Sequence, residues 1–261
     1  MKKRYGLSGN SIKIIALSVM LLDHFCAAII EKSLYMVSQY GIQENEKLIF
    51  FLNHFKVIYK IDVAIRMMGR MCFPILCFLL VEGFCHTHDM KKYLLRLLGF
   101  ALLSEPVYDL TFQGKLFYWE QQNIFFTLVI ALAALVGYRQ IEKKDEWSEL
   151  KSTTAKILLL IICCAIAYYS KADYGAYGIL TVVLMYVFRS DRKLQPLIAC
   201  IPLMCMGGYE YFTPACAIPL WCYNGERGMK MKYAFYFFYP VHLLIILGLE
   251  HYLGVHAIPY F

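Results

Sequence analysis

Seven stretches of this chain, roughly 11–30, 63–85, 93–110, 123–138, 154–170, 174–188 and 231–253, are long apolar runs separated by short basic segments. A helix that crosses a bilayer needs about 20 mostly apolar residues, and a water-soluble domain of this length has no interior large enough to hide so many. Composition agrees: 60% of the 261 residues are hydrophobic and 17% charged, where soluble domains average roughly 45–50% and about 25%. An ordinary soluble fold, disorder and a disulfide scaffold are all excluded. The ten cysteines lie in or beside apolar runs with no CxxC pair, as small hydrophobes do.

The spacing predicts an all-α, polytopic helical membrane bundle of about nine (eight to ten) transmembrane helices, forming a single domain over 1–261. Two shorter apolar runs, 195–206 and 215–223, flank Gly207-Gly208 and Pro214. They read as two short spans or as a re-entrant hairpin. Residues 46–60 read as a helix lying on the outer interface. Lys2, Lys3 and Arg4 before Ile14–Leu22 mimic a signal peptide, but Asp23 and His24 interrupt where a cleavage site should follow, so a retained first span is expected. Seventeen of the 26 Lys and Arg fall in segments 1–10, 86–96, 139–156, 189–194 and 224–232, and six in the alternating segments. That bias predicts a multi-pass protein of the plasma membrane with its N-terminus inside. It also accounts for the net charge of +7 without nucleic acid as a partner.

Ionisable groups inside a span are costly and mark candidate sites by default. Lys13, Asp23, His24, Arg66, Arg70, Glu82, Arg96, Glu105 and His242 all sit within or at the edge of apolar runs. Counting along the helices puts His24, Arg70, Glu105 and His242 near mid-membrane, and Glu82, His86 and Arg96 near the inner face. Lys13 and His24 are eleven residues apart, hence about 20° apart around a helix with a rise of about 16 Å. Asp23 points about 100° away from His24 and needs a cation on a neighbouring span, for which Arg70 has a suitable depth. Pro74 is expected to kink the second span, and Gly69 and Gly83 to permit close helix approach. His86-Thr87-His88 has a metal-like look, but no third ligand follows at a suitable spacing and no metal is expected. A neutral imidazole can deprotonate a hydroxyl or amine that attacks a thioester, with an Arg or Asn holding the oxyanion. A proton-coupled transporter uses the same parts.

Several segments break that tie: LSGNSIKIIALSVMLLDH (7–24), GRMCFPILCFLLVEGFCHT (69–87), KKYLLRLLGFALLSEPVYDL (91–110), NIFFTL (123–128), DYGAYGIL (173–180), YNGERG (223–228) and KYAFYFFYPVHLLIILGL (232–249). On these the chain resembles the TraX family, named for a conjugative-plasmid protein that acetylates pilin. That family is similar to the transmembrane acyltransferases that use acyl-CoA to modify surface polymers. Many of those carry a basic residue and, eleven positions on, a His in the first span, as Lys13 and His24 do here, with Lys where Arg is commoner.

The resemblance implies an integral membrane O- or N-acetyltransferase, with acetyl-CoA as cytoplasmic donor and a surface polymer, glycan or pilin-like acceptor. His24 is then the expected general base. Our own assignment adds Asp23, Arg70 and His242 to the catalytic set, gives Lys13, Glu82, His86 and Arg96 to the donor's inner end, and gives Glu105, Asn123 and Tyr239 to the acceptor. A proton-coupled transporter and a non-catalytic assembly factor are the alternatives.

Overall fold

The structure, a computed structural model, describes residues 5–40, 46–228, 232–256 and 258. Every regular element among them is helical. α1 (Gly9–Phe25) starts at Ser8, whose hydroxyl accepts from the Ser11 amide at 3.2 Å and satisfies one orphan donor of the first turn. It continues through a π-helical segment, Cys26–Glu31, into α2 (Lys32–Tyr40). This makes one helix of 32 residues, about 48 Å long, against a hydrocarbon core of about 30 Å. After α3 (Ile49–Asn53), α4 (Phe55–Gly69) and α5 (Cys72–His86) form a second 32-residue helix. Both helices are longer than that core requires.

The helix expected to lie flat over 46–60 is therefore divided. Only Ile49–Asn53 stands apart; from Phe55 the chain already belongs to α4. The reason is periodicity: Ile58, Asp62, Arg66 and Gly69 make one buried stripe that packs on α1 and its π segment, so the face is taken by protein rather than lipid. The expected kink lies at Arg70 and Met71, between α4 and α5. Pro74 has no N–H for the Arg70 carbonyl, which ends the α-helical ladder there.

α6 (Met90–Gln113) is capped by Asp89 and stopped by Gly114 at φ +65°. α7 (Ile124–Glu142), capped by Asn123, and α8 (Glu149–Tyr169), capped by Ser148, follow. α8 exposes Ile157, Leu158, Ile161, Ile162 and Ile166, a face that only lipid can cover. α9 (Gly175–Val187) and α10 (Gln195–Met204) come next. At 195–223 the chain goes out along α10, turns at Gly207 and Gly208 (φ +79° and +59°) and returns through a 3-10 stretch, Gly208–Cys216, and α11 (Ala217–Trp221). Trp221 Nε1 donates to the Lys193 carbonyl at 3.0 Å, so the hairpin closes where it began. The return limb is no regular span, because Pro214 and Pro219 deny it an α-helical ladder. α12 (Lys232–Leu253) ends the bundle.

Among the described residues five helices are each long and apolar enough to cross a membrane, and shorter apolar ones pack among them. The protein is a multi-pass helical membrane protein. The basic segments meet at one end. Leu7 and Gly9 amides donate to the Cys222 and Glu226 carbonyls at 2.7 Å, the Tyr223 hydroxyl reaches Glu82 at 3.2 Å, and Arg139 donates to the Phe84 carbonyl at 2.9 Å.

At the opposite end Lys32 Nζ meets Glu250 Oε1 at 2.7 Å and the Thr111 carbonyl at 2.6 Å, with the two charged side chains 2% and 0% exposed. This pair ties the end of the long first helix to α6 and α12. Replacing Lys32 alone by Met leaves a carboxylate buried without its cation and should cost roughly 3–5 kcal/mol. The double variant Lys32→Met, Glu250→Leu should recover most of that loss. Thermal unfolding in detergent checks both; equal destabilisation by the single and double variants counts against the assignment.

Candidate functional site

The two residues that the first span places side by side face different partners. Asp23 accepts from Arg66 Nη1 at 2.5 Å and from Arg70 Nη2 at 2.7 and 2.8 Å. Arg66 also holds Glu31 at 2.9 Å, and Arg70 holds Glu210 at 3.1 Å. The approach is possible because residue 69 is glycine: a Cβ there would lie 2.1 Å from Asp23 Oδ1. Charges withdrawn from water must be paired, and this cluster pairs them across α1, α4 and the tip of the 195–223 hairpin.

His24 turns instead to α12. Its Nδ1 lies 2.7 Å from His242 Nε2, and His242 Nδ1 lies 2.7 Å from the Phe238 carbonyl. A carbonyl only accepts, so His242 Nδ1 carries a proton and, with the ring neutral, its Nε2 accepts from His24 Nδ1–H. The remaining nitrogen, His24 Nε2, then bears a lone pair. The ring is held edge-on by Phe112 and Tyr239, with centroids at 5.4 and 5.9 Å.

Asp23, His24, Arg66, Arg70 and Glu210 line one cavity of about 210 Å³, and Tyr108, Gln121, Asp173, Tyr174 and Tyr239 belong to the same polar wall. Tyr174 has the left-handed backbone, φ +59°, rare for a bulky residue and typical of functional sites; its ring stacks on Phe73 at 4.0 Å. Four residues of this wall, Met20, Leu76, Ile124 and Tyr239, also line a small apolar pocket of about 20 Å³ whose walls include Phe235. Phe235 is the ring beneath Lys13 Nζ, 5.7 Å from its centroid.

One residue further along the chain, Tyr236 lines a second cavity of about 240 Å³ at the basic end, together with Lys92, Tyr93, Arg96 and Arg227. The Arg96 guanidinium lies 5.3 Å from the rings of both Tyr93 and Tyr236, and its buried Nε has no hydrogen-bond partner. A buried cationic donor without a partner fits an anionic ligand.

Of the residues singled out from sequence, Asp23, His24, Arg70 and Tyr239 line the inner cavity, His242 stands directly behind His24, and Arg96 lines the basic cavity. Four others are placed elsewhere. Glu105 accepts from the Asn123 amide at 3.0 Å and from the Asn123 side chain, while Asn123 Nδ2 donates to the Ala101 carbonyl at 2.8 Å. This pair clamps the start of α7 to α6 behind the cavity wall rather than facing an acceptor. Glu82 is held by Tyr223, and exposed His86 by the Glu82 carbonyl at 2.8 Å, so both secure the end of α5 outside the basic cavity. Among the described residues no three His, Cys, Asp or Glu side chains converge as a metal site requires. Sequence reasoning flagged Arg66 as an in-span charge but gave it no role, and assigned none to Tyr108, Asp173, Tyr174, Glu210 or Arg227. Arg66 had a signal, lying one helical turn before Arg70; Glu210 had only its place after a double-glycine turn.

The model of the family described as TraX protein matches residues 8–250. A probable fimbrial assembly protein FimC of serogroup H1 from Dichelobacter nodosus is 28% identical over 279 aligned positions, which cover 97% of this chain and all of that protein. No solved structure matches. With the family's pattern running through nearly every helix that builds these cavities, the chain belongs to the TraX family.

Proposed function

We propose that the protein is a membrane-embedded acetyltransferase that moves an acetyl group from acetyl-CoA to a hydroxyl or amine of an exported acceptor, with His24 as general base. The observation that carries this reading is the proton-poised His24–His242–Phe238 chain at the polar cavity, with a separate cationic cavity at the basic end of the same bundle. Lys13 and His24 share one face of α1 about 16 Å apart, the length of an extended pantetheine-type arm. Lys13, Arg96 and Arg227 suit the donor's diphosphate, and the basic end then faces the cytoplasm of a plasma-membrane protein whose N-terminus is inside.

The attacking O–H or N–H gives its proton to His24 Nε2 as its lone pair closes on the thioester carbonyl carbon. Charge develops on the carbonyl oxygen, and the Tyr108 and Tyr239 hydroxyls are the donors in reach of the same space. When the C–S bond breaks, the departing thiolate takes the proton back from His24. Arg70 is committed to Asp23 and Glu210, so it positions and does not hold the oxyanion. The family and its fimbrial relative favour a pilin-like acceptor; a surface glycan hydroxyl fits the same chemistry.

Two outcomes follow. His24→Gln should fold and bind acetyl-CoA as the parent does, while release of free CoA falls by roughly 10²–10⁴. Thiol release by the purified protein beside its melting curve checks this, and a folded, fully active variant would sink the role. A variant that instead fails to fold would favour a purely structural part in an assembly factor. His242→Phe removes the acceptor that sets the His24 tautomer and should lower kcat by roughly 10²–10⁴ with KM little changed; a change in KM alone would remove His242 from the relay.

A further inference from the structure

A third cavity, of about 580 Å³, opens at the basic end on the other side of the α5–α6 connection from the Arg96 cavity. Its wall carries His88, Lys91, Arg139 and Lys143, and its floor Phe84 and Val136. No step above uses it. Arg139 is the built part: its guanidinium lies flat on Phe84, 3.6 Å from the ring centroid, and Nη2 is anchored on the Phe84 carbonyl at 2.9 Å. A guanidinium held in one orientation by an aromatic face loses little freedom when it grips a phosphate.

The two basic cavities share one wall residue, Asp89. Its carboxylate does not oppose an anion. It accepts from the Lys92 amide at 3.0 Å and pairs with Lys92 Nζ at 3.0 Å, and those bonds hold its pKa below the usual carboxylate range. The wall between the cavities is thus a neutralised ion pair. A ligand with two anionic groups on a short spacer can lay one on Arg96 and the other on Arg139, across it. Arg139, Lys91 and Lys143 against a single paired acid suit a dianion, as a phosphate monoester is.

We propose that the Arg139 cavity seats the 3′-phosphate monoester of the CoA nucleotide, so that the protein selects CoA over donors lacking that phosphate. This rests on the acyl-CoA reading above and adds to it a specificity site. An anionic lipid headgroup offers the same phosphate chemistry from a different source, and the test separates the two.

The test measures binding of CoA and of 3′-dephospho-CoA to the full-length protein in neutral detergent. It compares the parent, the double variant Lys91→Gln, Lys143→Gln, and a control of equal charge change, Lys144→Gln, Lys151→Gln, whose lysines sit on Trp147 outside the cavity. Both cavity lysines are exposed, so the fold does not depend on them. The parent should prefer CoA by roughly tenfold to a hundredfold, the worth of a charge-assisted phosphate contact. The cavity variant should erase that preference by weakening CoA alone, and the control should keep it. A parent that binds both forms equally, or a cavity variant that weakens both alike, overturns this inference and leaves the acyl-CoA reading standing. A folded parent that binds neither overturns the acyl-CoA reading, and this inference with it. In nanodiscs with and without phosphatidylglycerol, loss of bound anionic lipid from the cavity variant with CoA preference intact would assign the cavity to a headgroup and overturn the inference.

Discussion

The carboxylate of Asp23, held between Arg66 and Arg70, is the constraint on which the rest of the site depends. A charge at this depth is tolerated only with a partner in contact, and breaking a buried pair by removing one partner is far costlier than never having it. The pairing therefore dictates geometry. It demands a glycine at 69 so that α1 and α4 can touch, and a break at Arg70 so that two guanidiniums one turn apart can converge on one residue. It also draws in Glu210 from the hairpin tip. Because Asp23 and His24 are adjacent, anchoring the first fixes the rotation of α1 and hence the direction of the second. The ion cluster need not touch the substrate to decide where the imidazole points.

The polar groups are also separated in a way that serves group transfer. The inner cavity is rich in ionised and hydroxyl groups and the basic cavity rich in cations, while the small pocket beside the inner cavity is walled by Leu17, Met20, Leu76, Phe125, Leu128 and Phe235. An ion pathway wants polar groups or water along its length to replace hydration. Apolar walls of this kind oppose ion passage and suit the uncharged arm that the proposed donor would extend toward His24. This contrast favours a transferase over a proton-coupled transporter.

Much of this was legible in the sequence because two helices carry it in single stripes. Lys13, Leu17, Met20 and His24 repeat at helical spacing on α1, and the arithmetic of 100° per residue placed the cation and the imidazole on one face. The need of Asp23 for a cation on another span, with Arg70 at the right depth, followed from the same geometry. What periodicity could not supply was contact between elements distant in the chain. That Glu105 would be claimed by the α7 cap at Asn123, and Glu82 by Tyr223, depends on which helices neighbour which. The return limb after Gly207 and Gly208 was unreadable as structure, since 3-10 geometry and two prolines erase the helical period, and Glu210 was hidden with it. The flat interfacial helix over 46–60 failed for a related reason: an amphipathic stripe says that one face is covered, not whether lipid or protein covers it.

α12 explains how one bundle keeps three sites in register. Phe235, Tyr239, His242, Ile246 and Glu250 lie four, three, four and four residues apart, a single face of a helix. The first lies under Lys13, the second lines both the inner cavity and the small apolar pocket beside it, the third sets the His24 tautomer, and the last locks Lys32 at the far end. Rotation of α12 about its axis would disturb all of them together. The YNGERG loop just before it is pinned to the first residues of α1 through the Leu7 and Gly9 amides, and the Lys32–Glu250 pair pins the same two long helices at the other end. Held at both ends, α1 and α12 behave as one unit, and the 2.7 Å contact between His24 and His242 is what that arrangement protects.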